Sequence, residues 1–488
     1  MNILLDIIFY VWCLRILANI FSFIQLWFIK EYRLDRMLIH LRTNQGKKIY
    51  FLPFRRPPII PKTICLFFLM FFSNFLIFWI PEAHWVLKLF IIDLLSFPIS
   101  GFWVFILHLP TIIWHKIIVE LAKNKLQNHK SLKIIGITGS FGKTSTKEYL
   151  YTILSEKFNV LKTEASKNSL IGIAEMILHK LTPDHQILIA EMGAYKMGEI
   201  KQMVDFVNPQ IGIITAINAQ HQDLFGSLEA TIRAKFELIE GLKDKKIAIF
   251  NADNKYTFKM AEKAHQQKFH VWLYGRNTTN YPDWPQKILR AQNIDIDLDA
   301  TKFDLTVDNQ SYHIQTSVLG EHQVGNILAA IAGSLSMGMD MESIVKAIKK
   351  LTPYAKTFEK IYGMNGTIFI NDTFNNNPDA ARAAIKYLSL AKGNKILVFQ
   401  PMIELGKYAN ESHRQVGEYA AKYCDWIFLT NNNFYHYFQE GVTQVNPQMK
   451  ASVLPLKEIA AQIKSIIKPE DMVIFKGKEA ENVLKILI

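Results

Sequence analysis

Three long apolar runs open the chain, and a different rhythm follows them. Ile3 to Ile29 is apolar but interrupted by Asp6 and Arg15; Thr63 to Ile80 holds 18 residues without a charge; Leu89 to Leu109 holds 21, with only Asp93 and His108 ionisable. About 20 apolar residues suffice for a helix to cross roughly 30 Å of hydrocarbon, so the second and third runs predict membrane-spanning helices. The first is expected to span or to lie in the interface, because a charge near mid-bilayer is costly. From Lys133 the runs shorten to four residues and alternate with helical patterns: Ile134 to Ile137, Ile187 to Ala190, Ile211 to Ile214 and Ile247 to Phe250. Their unbroken hydrophobicity predicts parallel strands buried on both faces, an α/β sheet. After a stretch from about 280 to 318 that reads as antiparallel or loop, the rhythm resumes at Thr367 to Ile370, Ile396 to Phe399, Trp426 to Leu429 and Met472 to Phe475, a second and smaller α/β unit.

The length of 488 residues suits three units, and the pattern divides them at 1–112, 113–350 and 351–488. Charge sharpens the picture. The net +13 is uneven, with 15 Lys+Arg against 6 Asp+Glu in residues 1–130. A basic load beside apolar runs belongs to a membrane surface and anionic lipid, which argues against nucleic acid as partner. The loop 30–62 carries most of it, which places that loop in the cytoplasm; the hairpin of the next two runs then returns the chain to the same side. A cleaved signal peptide does not fit, since the basic cluster follows the first apolar run. Cys13, Cys65 and Cys424 form no disulfide framework or zinc motif, which suits a reducing compartment.

The strongest chemical signal is the segment from Gly136 to Ser145, Gly-Ile-Thr-Gly-Ser-Phe-Gly-Lys-Thr-Ser. A strand running into a Gly-rich turn and then a helix points backbone N–H groups at phosphates. In this turn Thr138, Gly139, Ser140, Phe141, Gly142 and Ser145 would surround the phosphates, Lys143 would reach the terminal ones, and Thr144 would ligate Mg²⁺. It departs from the standard phosphate loop, because Ile137 stands five residues before Gly142 where that pattern has glycine.

The variant Thr-Gly-x-x-Gly-Lys-Thr resembles the Mur ligases, ATP-dependent amide ligases of bacterial cell-wall synthesis, and further segments are similar to that family in the same order. Thr163 and Asn168 fall in a stretch like its substrate and phosphate loop, with Ser166 and Ser169 where asparagine is usual. The resemblance implies that Glu191 holds a first Mg²⁺ with Thr144, that His221 and Lys235, the latter as a carbamate, hold a second, and that Lys143, His221 and Lys235 serve catalysis. Asn251, His322, Asn326, Lys356 and Asp372 are implied on the ATP side, Lys356 standing near the place of a missing Gly-Arg. Asn371-Asp-Thr-Phe-Asn-Asn-Asn-Pro378 and Glu404 in Pro401 to Gly406 are similar to the D-alanyl-D-alanine-adding branch, with Asn375, Asn377 and Glu404 on the substrate side. The asparagines before Pro378 also fit a plain turn.

The likeness covers about residues 131–488 and implies a P-loop-type, mostly parallel ATPase domain followed by a Rossmann-like α/β domain. It implies an enzyme that uses ATP and Mg²⁺ to join D-alanyl-D-alanine to a muramoyl peptide precursor, and the apolar runs with their basic loop add the expectation of a bacterial multi-pass membrane protein with cytoplasmic catalytic domains. A monomer is the favoured state. Membrane helices stand where a soluble member carries its UDP-sugar domain, so two alternatives stay open. One is a membrane-bound ligase for another carboxylate, such as poly-γ-glutamate or a lipid-linked peptide; the other is a nucleotide-binding scaffold without catalysis.

Overall fold

The computed structural model describes all residues except 1–2, 31, 42–45, 52–53, 82–83, 165–166, 219–224, 226, 244–245, 277–280 and 404, and gives backbone alone at 35, 36, 39, 47 and 51. The chain divides into two compact units, Met1–Glu120 and Leu121–Ile488.

In the first unit the three apolar runs are helices, Ile3–Ile29, Pro61–Phe78 and Trp85–Gln127, each long and apolar enough to cross a membrane. Their shared core is built from residues such as Ile20, Phe23, Ile24, Leu66, Met70 and Ile92, while Leu14, Phe68, Phe71 and Phe102 remain exposed on the outside. The structure accounts for the charge that interrupts the first run. Arg15 pairs with Asp93 of the third helix at 3.3 Å, and Asn19 and Trp12 donate hydrogen bonds to the same carboxylate at 3.1 and 3.3 Å. The pair and its two hydrogen bonds lower the cost of Arg15 in an apolar helix, while Asp6 lies near the helix start. The third helix is longer than its apolar run implied. It continues through Pro98 and Pro110 for 43 residues to Gln127, so the expected boundary at 112 falls inside it.

In the second unit, strands β1 (Lys133–Thr138), β2 (Val160–Lys162), β3 (Ile187–Glu191), β4 (Ile211–Ile214), β5 (Ile247–Asn251) and β6 (His270–Arg276) lie parallel in the order β2-β3-β1-β4-β5-β6. Strand β7 (Lys287–Ile296) adds in parallel, and β8 (Thr301–Val307) and β9 (Gln310–Thr316) extend the sheet antiparallel. Burial follows pairing: β3 and β4 are buried at every position, whereas β8 alternates, with Thr301, Phe303, Leu305 and Val307 buried. The helix Glu321–Ser336 packs on this sheet beside Lys143–Leu154 and supplies Val324, Ile327, Leu328 and Ile331 to the core.

A second sheet has the order β10-β11-β15-β12-β13-β14, formed by β10 (Glu359–Tyr362), β11 (Ile368–Asp372), β12 (Lys395–Phe399), β13 (Trp426–Leu429), β14 (Ser452–Val453) and β15 (Met472–Lys476). All its pairings are parallel except β10 with β11. In the first sheet β1 sits between β3 and β4, and in the second β15 sits between β11 and β12. Chain connections diverge at such points and leave a crevice at the carboxyl ends of the strands, where α/β proteins bind ligands.

Candidate active site

The turn after β1 lies in the first crevice. Gly142 has φ +82° and caps the helix Lys143–Leu154 without any side chain bonding its first-turn N–H groups, which leaves them available to an anion. The backbone angle favours glycine there, and a Cβ would stand 2.4 Å from Asn326 Oδ1, forcing that side chain to move. Neighbouring strands hold the turn: Ser140 N donates to Ala216 O at 2.7 Å, and Thr138 Oγ1 donates to Met192 O at 2.8 Å. The Lys143 ammonium donates to Gly139 O at 2.9 Å and to Ser140 O at 3.3 Å. Burial pushes its pKa down, opposed by the nearby Glu191 carboxylate.

A cleft of about 660 Å³ opens from this turn between the two sheets' domains. Its first wall holds Ser140 to Ser145, Asn251, His322 and Asn326; its second holds Asp372, Asn375, Asn377 and Lys476. Asn251 donates to Thr215 O at 2.9 Å, and Asn326 donates to Gln323 Oε1 at 2.9 Å. His322 is half-buried edge-on against Phe358 with ring centres 4.9 Å apart, and desolvation lowers its pKa to about 4, so the ring is neutral at physiological pH. Asn377 Oδ1 accepts from Ala380 N at 3.0 Å and caps the helix Pro378–Tyr387, so the turn reading of the asparagines and their place in the cleft hold together.

Asp372 ends β11 beside Lys476 at the end of β15, and the two form a buried ion pair at 2.6 Å. Lys476 also donates to Asn375 O at 3.0 Å, tying the asparagine turn to the strand ends. Removing one member leaves the other as an unpaired buried charge. Lys476→Met is therefore expected to destabilise the protein by about 3 kcal/mol and to raise the KM for ATP, as read by urea denaturation and steady-state kinetics.

Behind the turn, outside the cleft lining, a second group forms around Glu191 at the end of β3. Its Oε1 accepts from Thr144 Oγ1 at 3.2 Å and from Asn168 Nδ2 at 3.1 Å, and its backbone N–H donates to Thr163 Oγ1 at 3.0 Å. Lys235 is buried on the helix Leu228–Glu240; desolvation, with Lys143 nearby, lowers its pKa to about 7, against the pull of Glu199, Glu191 and Glu237. Among the described residues no three His, Cys, Asp or Glu side chains cluster as metal ligands. His221 and Glu404 lie outside the described residues. The donors present still suit Mg²⁺, which is satisfied by few protein oxygens plus phosphate and water: Glu191 Oε2 is buried without a hydrogen-bond partner, beside the Thr144 hydroxyl.

Lys356 does not line this cleft. It stands in a turn at φ +61° and pairs with Glu481 at 2.9 Å, outside the cleft lining. Residues that the sequence reading passed over join the two domains instead. Glu321 pairs with Lys386 at 2.8 Å and Arg276 at 3.4 Å, Arg276 pairs with Asp253 at 2.8 Å, and Asn218 donates to Asp379 at 3.1 Å. No spacing in the sequence links these positions.

A phosphate turn facing a second α/β domain across one cleft defines a class. Residues 137–333 match the Mur ligase middle domain and residues 358–479 the Mur ligase glutamate ligase domain, and the chain belongs to the Mur ligase family. Within the family its relatives include the UDP-N-acetylmuramoyl-tripeptide--D-alanyl-D-alanine ligase of Escherichia coli, 32% identical over 59% of this chain and 62% of that protein. The enzyme of the same name from Buchnera aphidicola subsp. Acyrthosiphon pisum is 30% identical over 64% of this chain and 68% of its own. The crystal structure of MurF from Acinetobacter baumannii superposes with a TM-score of 0.67 at 27% identity, covering 76% of this chain and 80% of that one. The chain thus spans less than two thirds of the Escherichia coli relative, and the N-terminal helical unit lies outside both family models.

Proposed function

We propose that the chain is an ATP-dependent amide ligase that joins D-alanyl-D-alanine to the tripeptide carboxylate of a muramoyl precursor at the cytoplasmic face of a bacterial membrane. The observation that carries this is the single cleft with the phosphate turn on one wall and Asp372, Asn375 and Asn377 on the other. The carboxylate takes the γ-phosphoryl group of ATP; the amine then attacks the acyl carbon, and phosphate departs with the C–O bond. Both first reactants are anions, so their approach needs positive charge. Lys143 and the open N-terminus of its helix supply it beside the phosphates. When bound, Mg²⁺ held by Thr144 and Glu191 would neutralise further phosphate charge. His322 and Asn326 border the nucleotide, and Asp372 is placed for the ribose. Lys235, as its carbamate, would give a second anion close to Glu191, with His221 assigned beside it. Thr163 and Asn168 hold Glu191, and Glu404 stays assigned to the substrate side.

The basic loop 30–62 and the two apolar helices after it support a cytoplasmic side for the catalytic unit. The membrane unit also favours a second reading of the acceptor, a lipid-linked muramoyl peptide. The deciding assay supplies full-length protein with ATP, Mg²⁺, D-alanyl-D-alanine and the tripeptide in two forms, UDP-linked in solution and polyprenyl-linked in vesicles, and follows ADP release and product mass. Amide product from the UDP form supports the first reading, and product from vesicles alone the second. ADP release only with other carboxylates, or none with any, overturns both.

A further inference from the structure

The helix after the phosphate turn carries a second lysine. Lys143 and Lys147 lie one turn apart, on the same side of the helix by spacing, yet their ammonium groups go to different partners. Lys143 folds back onto the turn's carbonyls. Lys147 has no exposed side-chain surface, and its Nζ lies 3.3 Å from Glu191 Oε2 and 3.3 Å from Glu148 Oε1. Neither approach has hydrogen-bond geometry, so Lys147 Nζ and Glu191 Oε2 are both buried without a hydrogen-bond partner. The other oxygens of the two carboxylates are taken: Glu191 Oε1 by Thr144 and Asn168, Glu148 Oε2 by Lys162. A buried ammonium with unsatisfied donors is costly, and a fold retains one where a charge must be balanced.

We propose that Lys147 is the internal counter-cation of Glu191. It faces the one carboxylate oxygen left free for a divalent cation and repels such a cation when it arrives alone. A cation carried by a triphosphate brings its own compensating negative charge; Lys147 then shifts onto Glu148, which it already touches. The device makes the metal enter with the nucleotide rather than before it. Lys147 is thus a positioning residue acting through Glu191, and the proposal rests on Glu191 being the metal carboxylate.

Binding of Mn²⁺ to the full-length chain, read by electron paramagnetic resonance with and without a non-hydrolysable ATP analogue, tests it apart from turnover. Lys147→Met is expected to bind Mn²⁺ alone at least tenfold more tightly than wild type, with Lys147→Arg close to wild type and Mn²⁺ affinity in the presence of the analogue changed less than threefold for both. Equal or weaker binding of free Mn²⁺ by Lys147→Met overturns the proposal. Should that variant not fold, Glu148→Gln keeps Lys147 in place and removes its second seat. There the Mn²⁺ and analogue together are expected to bind several-fold more weakly while free Mn²⁺ binds no better; wild-type binding of both overturns the proposal. Glu191→Gln separates the two layers, because unchanged Mn²⁺ binding with the analogue in that variant refutes the metal assignment itself.

Discussion

Lys143→Ala will abolish amine-dependent ADP release, with a loss of at least about a thousandfold, equivalent to roughly 4 kcal/mol of transition-state stabilisation. The ammonium lies against two carbonyls of the glycine-rich turn, at 2.9 and 3.3 Å, on the wall of the cleft where the proposed function seats the phosphates. It is partly buried at the cleft wall, where desolvation lowers its pKa and one cation is worth more than in open water. Lys143→Arg is expected to recover little, because a planar guanidinium does not match a point charge folded over a tight turn. The helix N-terminus at Gly142 and the core beneath it are untouched by either change, so the melting temperature should hold within a few degrees. Undiminished turnover in Lys143→Ala would remove Lys143 from the chemistry and the cleft from the phosphates.

The parts of this fold that could be read from the chain are those whose environment is uniform along an element. Strands such as Ile187–Glu191 and Ile211–Ile214 are buried at every position, so four apolar residues in a row announce them. Val160–Lys162 is only three residues long, and His270–Arg276 mixes Trp272 and Tyr274 with His270 and Arg276; neither gives a clean signal, although both belong to the sheet. The site divides in the same way. The phosphate turn is local chemistry and reads directly, whereas Glu191 is singled out only through the family resemblance. Lys147 does not read at all, because a lysine two residues past Ser145 on a helix normally points to water, and only packing against Glu148 and Glu191 buries it. The partner of Asp372 lies 104 residues away, and only the insertion of β15 beside β11 makes Lys476 its neighbour. Lys356 could not be placed from the chain either, because its pairing with Glu481 is set by a contact far along the sequence.

Lys235 gives the other large effect, and its sign differs between activity and stability. An amine reacts with CO₂ only when neutral, forming a carbamate anion and releasing a proton. Burial, helped by Lys143, brings its pKa to about 7 from an ordinary value of 10.5, so much of it is neutral at physiological pH. Enzyme freed of CO₂ is therefore expected to lose most of its turnover and to regain it on adding bicarbonate above pH 7, with recovery failing as pH falls below 7 and the amine protonates. Lys235→Arg, a permanent cation, should lose at least about a hundredfold and stay unresponsive to bicarbonate; Lys235→Ala should recover part of its loss with added acetate, which supplies the missing carboxylate-like group. Stability moves the other way. Because the folded pKa lies below the unfolded one, the folded state carries the full cost of the buried ammonium below pH 7, and that cost fades as pH rises from 7 toward 10.5. In CO₂-free buffer Lys235→Met should then be more stable than wild type at pH 6 by roughly 2 to 5 kcal/mol, with the gap closing toward pH 10. A melting-temperature difference independent of pH, or full activity in Lys235→Met, would mean that the amine is neither strained nor used.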